Sequence, residues 1–225
     1  MKGASSFSLT GLVEAMGRAP WLELICSTVW ITVLASAVAI GGPPLALLIW
    51  PTQTGVAVNR ACWGFLRLWP APLIALLLLF ITTPSLELAA LALGLHHLGV
   101  MGRVMQSELD RQGASVRQAL VGTGASRRMA WLYGELAGIS RRYLASSAYR
   151  ADVMLRDTAV LGLVGGAGLG WQLIESLSSF DWDLVWCLVV VYALLTWLGE
   201  GLSEHLQRSW ACKAGDSWTC GAVHG

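Results

Sequence analysis

The chain has 225 residues, of which 55% are hydrophobic and only 13% are charged. A soluble domain carries about 25% charged residues, because its surface is hydrated, whereas a surface in lipid needs few charges. This composition excludes an ordinary soluble globule and predicts an integral membrane protein. The formal net charge of +1 also gives no basic excess of the kind that binds nucleic acid.

The first long apolar run predicts a membrane span. Residues 24–59 contain no charged side chain, and about 20 apolar residues are enough to cross a bilayer once as a helix. Gly41-Gly42-Pro43-Pro44 interrupts this run and predicts a bend, so we expect one long, bent span over about 21–50. The preceding residues, 1–20, lack the features of a secretory signal and are interpreted as an amphipathic segment that is retained.

Four further predicted spans complete the membrane domain. A turn at Thr82-Thr83-Pro84-Ser85 separates two helices of a hairpin, which we place at about 61–82 and 86–105. Two more runs predict spans near 146–165 and 184–206. The sequence therefore predicts an all-α fold with about five transmembrane helices in residues 21–210, followed by a tail at 211–225.

The arginines are concentrated in one segment and predict the orientation. Nine of the 13 lie between Arg103 and Arg156. Basic loops remain on the cytoplasmic side of a membrane, which places the loop at 107–145 inside, with the N-terminus outside and the C-terminus inside.

This basic loop has the pattern of a helix-turn-helix element. Ser115 and Gln118 have the spacing of a capping box, Gly122 and Gly124 provide a helix stop, and Ser126 is placed to cap a second helix. A connector between spans needs less pattern than this, so we expect a docking site for a cytosolic partner. The alternative is an amphipathic element lying on anionic lipid.

Charged and polar residues near the predicted fourth span are candidates for function. Asp152 and Arg156 have the favourable helical spacing for an ion pair. Arg150 has no equally placed acid and is the better candidate for an anion route, because guanidinium forms paired hydrogen bonds with oxyanions. His96 lies on an apolar helix, where either a structural hydrogen bond or a gating role explains it.

The cysteines and histidines predict no metal site. Cys26, Cys62 and Cys187 fall in apolar runs, where a small buried hydrophobic residue is expected. Cys212 and Cys220, with His224 nearby, have a loose spacing that gives a metal site little support.

Three motifs in order resemble a known family. Gln118-Ala119-Leu120-x-x-Thr123-Gly124-Ala125-Ser126-Arg127 resembles the coupling motif of ABC-importer permeases. Tyr149-Arg150-x-Asp152-x-x-x-Arg156, with the glycine-rich run 160–170, is similar to the permease subunit of phosphonate and phosphite importers. Ala92-Leu93-Gly94-Leu95-His96 matches the same pattern upstream. The likeness covers about residues 20–210 and is strongest over 92–172.

The resemblance implies a fold, partners and roles. The fold would be that of a type I ABC-importer permease in a bacterial inner membrane, with a cytoplasmic coupling helix. The partners would be a dimer of ABC ATPase subunits, a second permease chain of the same or a homologous sequence, an extracytoplasmic substrate-binding protein and membrane lipid. The implied cargo is a small oxyanion such as phosphonate or phosphite. ATP and magnesium would be used by the ATPase, and this chain would bind no cofactor and perform no catalysis.

The same resemblance implies which residues carry the function. Contact with the ATPase would involve seven loop residues: Gln118, Ala119, Leu120, Gly124, Ala125, Ser126 and Arg127. The substrate pathway would involve five residues: His96, Arg150, Arg156, Gly165 and Gly168. For the glycine-rich turn, simple helix packing is the alternative to a place in the outer pathway.

Two departures from the family pattern support a different hypothesis. Gln118 stands where the family has Glu, and Ala137 stands where it has Pro. A non-transporting membrane scaffold, or a diverged partner permease that recruits a cytosolic protein through the basic loop, is therefore the alternative function.

Overall fold

The computed structural model describes residues 14, 16–50, 52–113, 115–165 and 168–212. From residue 21 onward, its regular structure consists of the following elements in chain order: α1 (Trp21–Ile49), α2 (Gln53–Leu68), α3 (Ala71–Leu79), α4 (Leu86–Gln112), α5 (Ser115–Gly122), α6 (Arg127–Met129), a π-helical segment (Ala130–Leu136), α7 (Ala137–Gly165), α8 (Gly168–Ser178) and α9 (Trp182–Cys212). The all-α fold predicted from the sequence is confirmed. The N-terminal residues 1–13 and the tail residues 213–225, with Cys220 and His224, lie outside the described residues.

Helix α4 lies at the centre of the bundle and packs against α1, α2, α3 and α7. Small residues make these contacts close. A side chain at Gly94 would meet Val38 Cβ at 3.0 Å, and one at Gly99 would meet the backbone of α2 at 2.9 Å. In its most apolar stretch 61% of α4 is buried, against 28% of α1 and 17% of α9. The outer helices therefore expose most of their apolar surface, as a surface in lipid allows.

The predicted second span is wrong as a single helix over 61–82. The chain instead forms α2 and α3, which meet at a bend of 90°. Pro70 lies between them and restricts the preceding residue, Trp69, to extended backbone, as its φ of −94° and ψ of 116° show. The signal was present in the sequence as Trp69-Pro70-Ala71-Pro72, since two prolines so close together remove consecutive helix donors.

The two prolines of α1, by contrast, lie inside an unbroken helix. Pro44 has no N–H for the carbonyl of Ile40, four residues earlier. The hydroxyl of Tyr143, from α7, donates to that carbonyl at 2.7 Å. A hydrogen bond from another helix thus satisfies the group that the proline leaves free.

Among the described residues, three helices are long and apolar enough to cross a membrane, namely α1, α4 and α9, or four if the bent pair forms one span. Helix α7 has 29 residues, but its several Arg and Asp side chains exclude it from that set. Five spans therefore remains a prediction.

The helices extend into the loop predicted at 107–145. Helix α4 continues to Gln112, where Gly113 ends it with a φ of 73°. Helices α6 and α7 and the π-helical segment follow one another without a break from Arg127 to Gly165.

The burial predicted for the cysteines is only partly correct. Cys187 is buried, whereas Cys26 and Cys62 are exposed. Both lie on outward helix faces, and a small apolar residue suits a lipid-facing surface as well as a core. No metal-binding cluster of His, Cys, Asp or Glu is present among the described residues.

Candidate functional site

The helix-turn-helix element predicted from Ser115 to Arg128 is present. Helix α5 ends in a glycine turn in which Gly124 has a φ of 92°. The N–H of Gly124 donates to Val121 O at 3.0 Å, and the N–H of Ala125 donates to Leu120 O at 3.2 Å. This pair of hydrogen bonds is a Schellman motif, which satisfies the free carbonyls at the end of a helix. Gly122, the other predicted stop, lies within α5.

Ser126 begins the next helix, as predicted. Its hydroxyl accepts a hydrogen bond from the N–H of Met129 at 3.3 Å, the geometry of an N-cap. The continuous helix that starts there leads through the π-helical segment into α7. The turn therefore connects α5 directly to the longest helical stretch among the described residues.

The two faces of α5 differ in exposure. Gln118, Ala119 and the turn residue Gly124 are exposed, as is Arg127 at the start of α6. Ser126 of the predicted coupling set is also exposed, whereas Leu120 and Ala125 are half-buried.

The opposite face of α5 packs against the π-helical segment. A side chain at Gly134 would meet Leu120 Cδ1 at 2.9 Å and Val116 Cγ1 at 3.3 Å. Arg117 Nε lies 3.3 Å from Glu135 Oε1. Burial raises the pKa of the Glu135 carboxyl, and the nearby Arg117 partly opposes this shift.

A second region of interest is a cleft at the bend between α2 and α3. His96 Nδ1 lies 2.8 Å from the carbonyl oxygen of Trp69, and because a carbonyl only accepts, this nitrogen carries the hydrogen. The cleft is lined by Pro70, Ala71, Pro72, His96, Asp157, Val160 and Leu161. His96 therefore has a structural bond and also lines an opening.

Beside His96, a buried histidine of α4 contacts a half-exposed aspartate of α7. His97 Nε2 lies 3.0 Å from Asp157 Oδ2, and the His97 side chain is 2% exposed. The sequence alone does not predict this pair. Its members are 60 residues apart, and no local spacing brings them together.

The two arginines predicted for the pathway lie on different faces of α7. Arg156 pairs with Asp152 at 2.9 Å, which confirms the predicted ion pair, and with Glu200 of α9 at 3.2 Å. Arg150 lies two helical turns before Asp157, on the side of α7 that borders the cleft. Within the described residues, no acidic side chain is within ion-pair distance of Arg150.

The glycine-rich turn joins α7 to α8. Gly165 is the last residue of α7, and residues 166–167 lie outside the described residues. Gly168 has a φ of 84°, and a side chain there would meet Thr28 Oγ1 at 3.0 Å. The N–H of Leu169 donates to the same hydroxyl at 2.9 Å, so α1 holds the turn. Gly162 and Gly170 also bring the backbones of α7 and α8 into close contact.

Sequence comparison identifies relatives, although no protein-family profile matches the chain. A phosphate-import permease protein of Mycolicibacterium smegmatis is 31% identical over 177 residues, which are 76% of this chain and 33% of that protein. A putative phosphite transport system permease protein of Stutzerimonas stutzeri is 26% identical over 157 residues, 70% of this chain and 60% of that one. The predicted resemblance to phosphonate and phosphite permeases is confirmed.

A third permease relative matches over almost its whole length. A putative cryptic phosphonate transport system permease protein of Escherichia coli K12 is 28% identical over 119 residues, 51% of this chain and 98% of that one. By comparison, the chain covers a third and three fifths of the first two relatives.

The fold agrees with these permease relatives. A chain from the crystal structure of an amino acid ABC transporter with histidines superposes with a TM-score of 0.68, covering 91% of this chain and 99% of that one at 16% identity. The chain therefore has the fold of an ABC-transporter membrane chain. Together with its long apolar helices, this makes it a multi-pass membrane protein.

Proposed function

We propose that the chain is a membrane-spanning permease subunit of an ABC importer, coupled to a cytosolic ATPase and carrying a small phosphorus oxyanion. The observation that supports this most strongly is the helix-turn-helix element. One face of α5 is exposed and ready for a partner, while the other is fixed to the helix that continues into α7. Such an element transmits movement from a cytosolic protein to the bundle.

The cargo class is inferred from the names of the relatives and from the cleft. Those names include phosphate, phosphite and phosphonate. Arg150 supplies a guanidinium on the cleft side of α7, and an unpaired guanidinium suits an oxyanion. Asp157, the carboxylate that lines the opening, lies 3.0 Å from His97 Nε2.

The proposed assembly follows from the same family. It comprises two ATPase subunits, a second permease chain and an extracytoplasmic binding protein, in the inner membrane. The basic loop faces the cytoplasm, with the N-terminus outside and the C-terminus inside, because Arg and Lys are retained on the inner side. ATP and magnesium act on the ATPase, and this chain has neither a catalytic role nor a bound cofactor.

Movement would follow the general alternating-access scheme, in which parts of the bundle rock around a central site. Closure of the ATPase dimer would draw α5 inward, and the continuous helix from Arg127 to Gly165 would tilt with it. The cleft beside His96 lies near the far part of that helix and would change its opening.

Replacing Gly124 tests this proposal. Valine is strongly disfavoured at a φ of 92°, because a β-branched side chain clashes with the backbone there. In a complex reconstituted with the ATPase that co-purifies with the chain, Gly124→Val should reduce phosphite-stimulated and methylphosphonate-stimulated ATP hydrolysis. Gly201→Val is the control, since nothing lies within 4 Å of a side chain at Gly201.

Two outcomes would contradict the proposal. Unchanged stimulation in Gly124→Val would show that α5 does not couple the ATPase to transport. Purification with a cytosolic protein that lacks ATPase activity would favour the scaffold hypothesis instead.

A further inference from the structure

The inner face of α5 carries one ion pair, Arg117 with Glu135, whose particular role the proposed function leaves open. Arg117 Nε lies 3.3 Å from Glu135 Oε1, and the exposed fractions of the two side chains are 34% and 10%. The pair joins the middle of a short helix to the last turn of the π-helical segment. Among the described residues, it is the only ion pair between α5 and the π-helical segment.

Three elements meet at this point. Gln112, the last residue of α4, donates from Nε2 to the carbonyl oxygen of Gly134 at 3.1 Å. Val116 and Leu120 of α5 pack on Gly134, where no room for a side chain remains. The end of α4, the inner face of α5 and the π-helical segment therefore share Gly134 and Glu135. π-helical turns inside helices occur frequently at functional sites.

Of the interactions between α5 and the π-helical segment, only some depend on the orientation of α5. Apolar packing of Val116 and Leu120 on a glycine is non-directional, so it resists separation of α5 but not rotation. A charge-assisted hydrogen bond between a guanidinium and a carboxylate has a preferred geometry. The Arg117–Glu135 pair therefore fixes the orientation of α5 on the surface of the long helix.

The pair has little net effect on stability. Burial raises the pKa of Glu135 more than Arg117 lowers it, which means that removing the carboxylate from water costs more than the arginine returns. Replacing both members of such a pair is often neutral for stability, whereas removing only the arginine leaves the buried carboxylate without its partner. A role in geometry explains the pair better than a role in folding.

We propose that Arg117 and Glu135 are positioning residues that hold α5 in one orientation on the helix leading into α7. This inference rests on the proposed coupling function of α5. Force applied to the exposed face of α5 then passes through Glu135 to the π-helical segment and along α7. Without the pair, α5 remains attached but rotates under load, and ATP hydrolysis no longer drives transport efficiently.

Single and reversed variants test this inference. Glu135→Gln removes the charge pair with little change in volume, Arg117→Gln removes it from the other partner with a shorter side chain, and Arg117→Glu combined with Glu135→Arg restores it in reverse. The control is Arg208→Gln, which removes an exposed pair with Glu204 of 2.9 Å within α9. The readouts are amide hydrogen exchange of residues 115–122 in the full chain, and methylphosphonate imported per ATP hydrolysed in the complex.

We expect each single variant to raise exchange in α5 and to lower the import per ATP by about 2- to 30-fold. Thermal stability should be unchanged in Glu135→Gln, whereas Arg117→Gln should lose some, because the Glu135 carboxylate is left without its partner. The reversed pair should recover both readouts, and Arg208→Gln should alter neither. Normal exchange and normal import per ATP in both single variants would overturn the inference.

The exchange readout also separates this inference from the proposed function. It needs only the purified chain, whereas import per ATP needs the assembled complex. A wild-type chain that binds no ATPase would contradict the proposed function, while exchange in Glu135→Gln would still decide whether the pair positions α5. A loss of thermal stability equal in all three pair variants would also overturn a positioning role.

Discussion

Helices α5 and α4 are attached to the rest of the bundle by different kinds of interaction. Helix α5 has eight residues, exposes one face, and is fixed by a glycine turn, a neighbouring N-cap and one ion pair. Helix α4 has 27 residues and is enclosed by four other helices, with glycines at the closest contacts. We call α4 with α1, α2, α3 and α7 the frame, which is held by close packing. We call α5 with its turn and the start of α6 the attached element, which is held mainly by directional bonds. An element of the second kind can move as a unit without disturbing the frame.

The largest effect is expected for a change in the frame. Gly102→Ala would place a methyl group against the indole ring of Trp63, which is 2% exposed and has no room to move. Overpacking a core of this density costs about 1–3 kcal/mol or more. Thermal unfolding in detergent should show the loss. Gly41→Ala, where nothing lies within 4 Å, should leave the unfolding temperature unchanged, and equal effects of the two would contradict the contrast.

The next largest effect is expected for the hydrogen bond that Tyr143 donates to α1. Tyr143→Phe removes the hydroxyl that donates to Ile40 O at 2.7 Å and leaves a partly buried carbonyl without a partner. We expect a loss of about 1–2 kcal/mol in the free energy of unfolding. Tyr149→Phe, at an exposed position, is the matched control. A Tyr143→Phe chain as stable as the wild type would show that the proline-interrupted helix needs no such support.

A smaller and local effect is expected in the attached element. Ser126→Ala removes the N-cap that accepts from Met129 N, worth about 1 kcal/mol. Hydrogen exchange should rise in residues 127–136 and remain unchanged in α4. Ser140→Ala, which loses only a bond to a carbonyl within its own helix turn, is the control. A rise that spreads into α4 would mean that frame and attached element are not separate.

The smallest effect is a pH dependence at Glu135. Its pKa is raised by burial, so as pH falls the carboxylate takes up a proton earlier than an ordinary glutamate, and the pair with Arg117 is lost. Import per ATP should therefore fall on acidification toward that raised pKa. Stability should move the other way, because the folded state binds the proton more tightly than the unfolded state.

The matching control for this pH dependence is Glu135→Gln, which should show low and pH-independent coupling. Asp110, Arg117 and Arg127 line the same cleft as Glu135 and are unchanged in that variant. Identical pH profiles for wild type and Glu135→Gln would contradict the assignment to this carboxyl.

The contrast between the two regions also explains what the sequence predicted. The helix-turn-helix element was predicted because its determinants, Gly124 and Ser126, lie within a few residues of the groups that they bond. The Asp152–Arg156 pair was predicted for the same reason. The bend at Pro70 was also local, but the apolar character of the flanking runs favoured one continuous span.

The contacts between different helices could not be predicted from the sequence. His97 with Asp157 and Arg156 with Glu200 each join different helices, and nothing in the spacing of one helix specifies its partner on another. The continuity of α1 through Pro43 and Pro44 depends on Tyr143, about 100 residues further along the chain. Packing of whole helices decides these contacts, and it is determined by the shape of the assembled bundle.

The most direct test of the central claim is a cross-link from the exposed face of α5. A photoreactive amino acid in place of Ala119, irradiated in membranes that contain the complete transport system, should label the cytosolic ATPase. The same group in place of Leu194, an exposed residue of α9, should not. We expect ATPase to be labelled from position 119 alone. No ATPase labelled from position 119, or equal labelling from both positions, would contradict the role of α5 as the coupling helix.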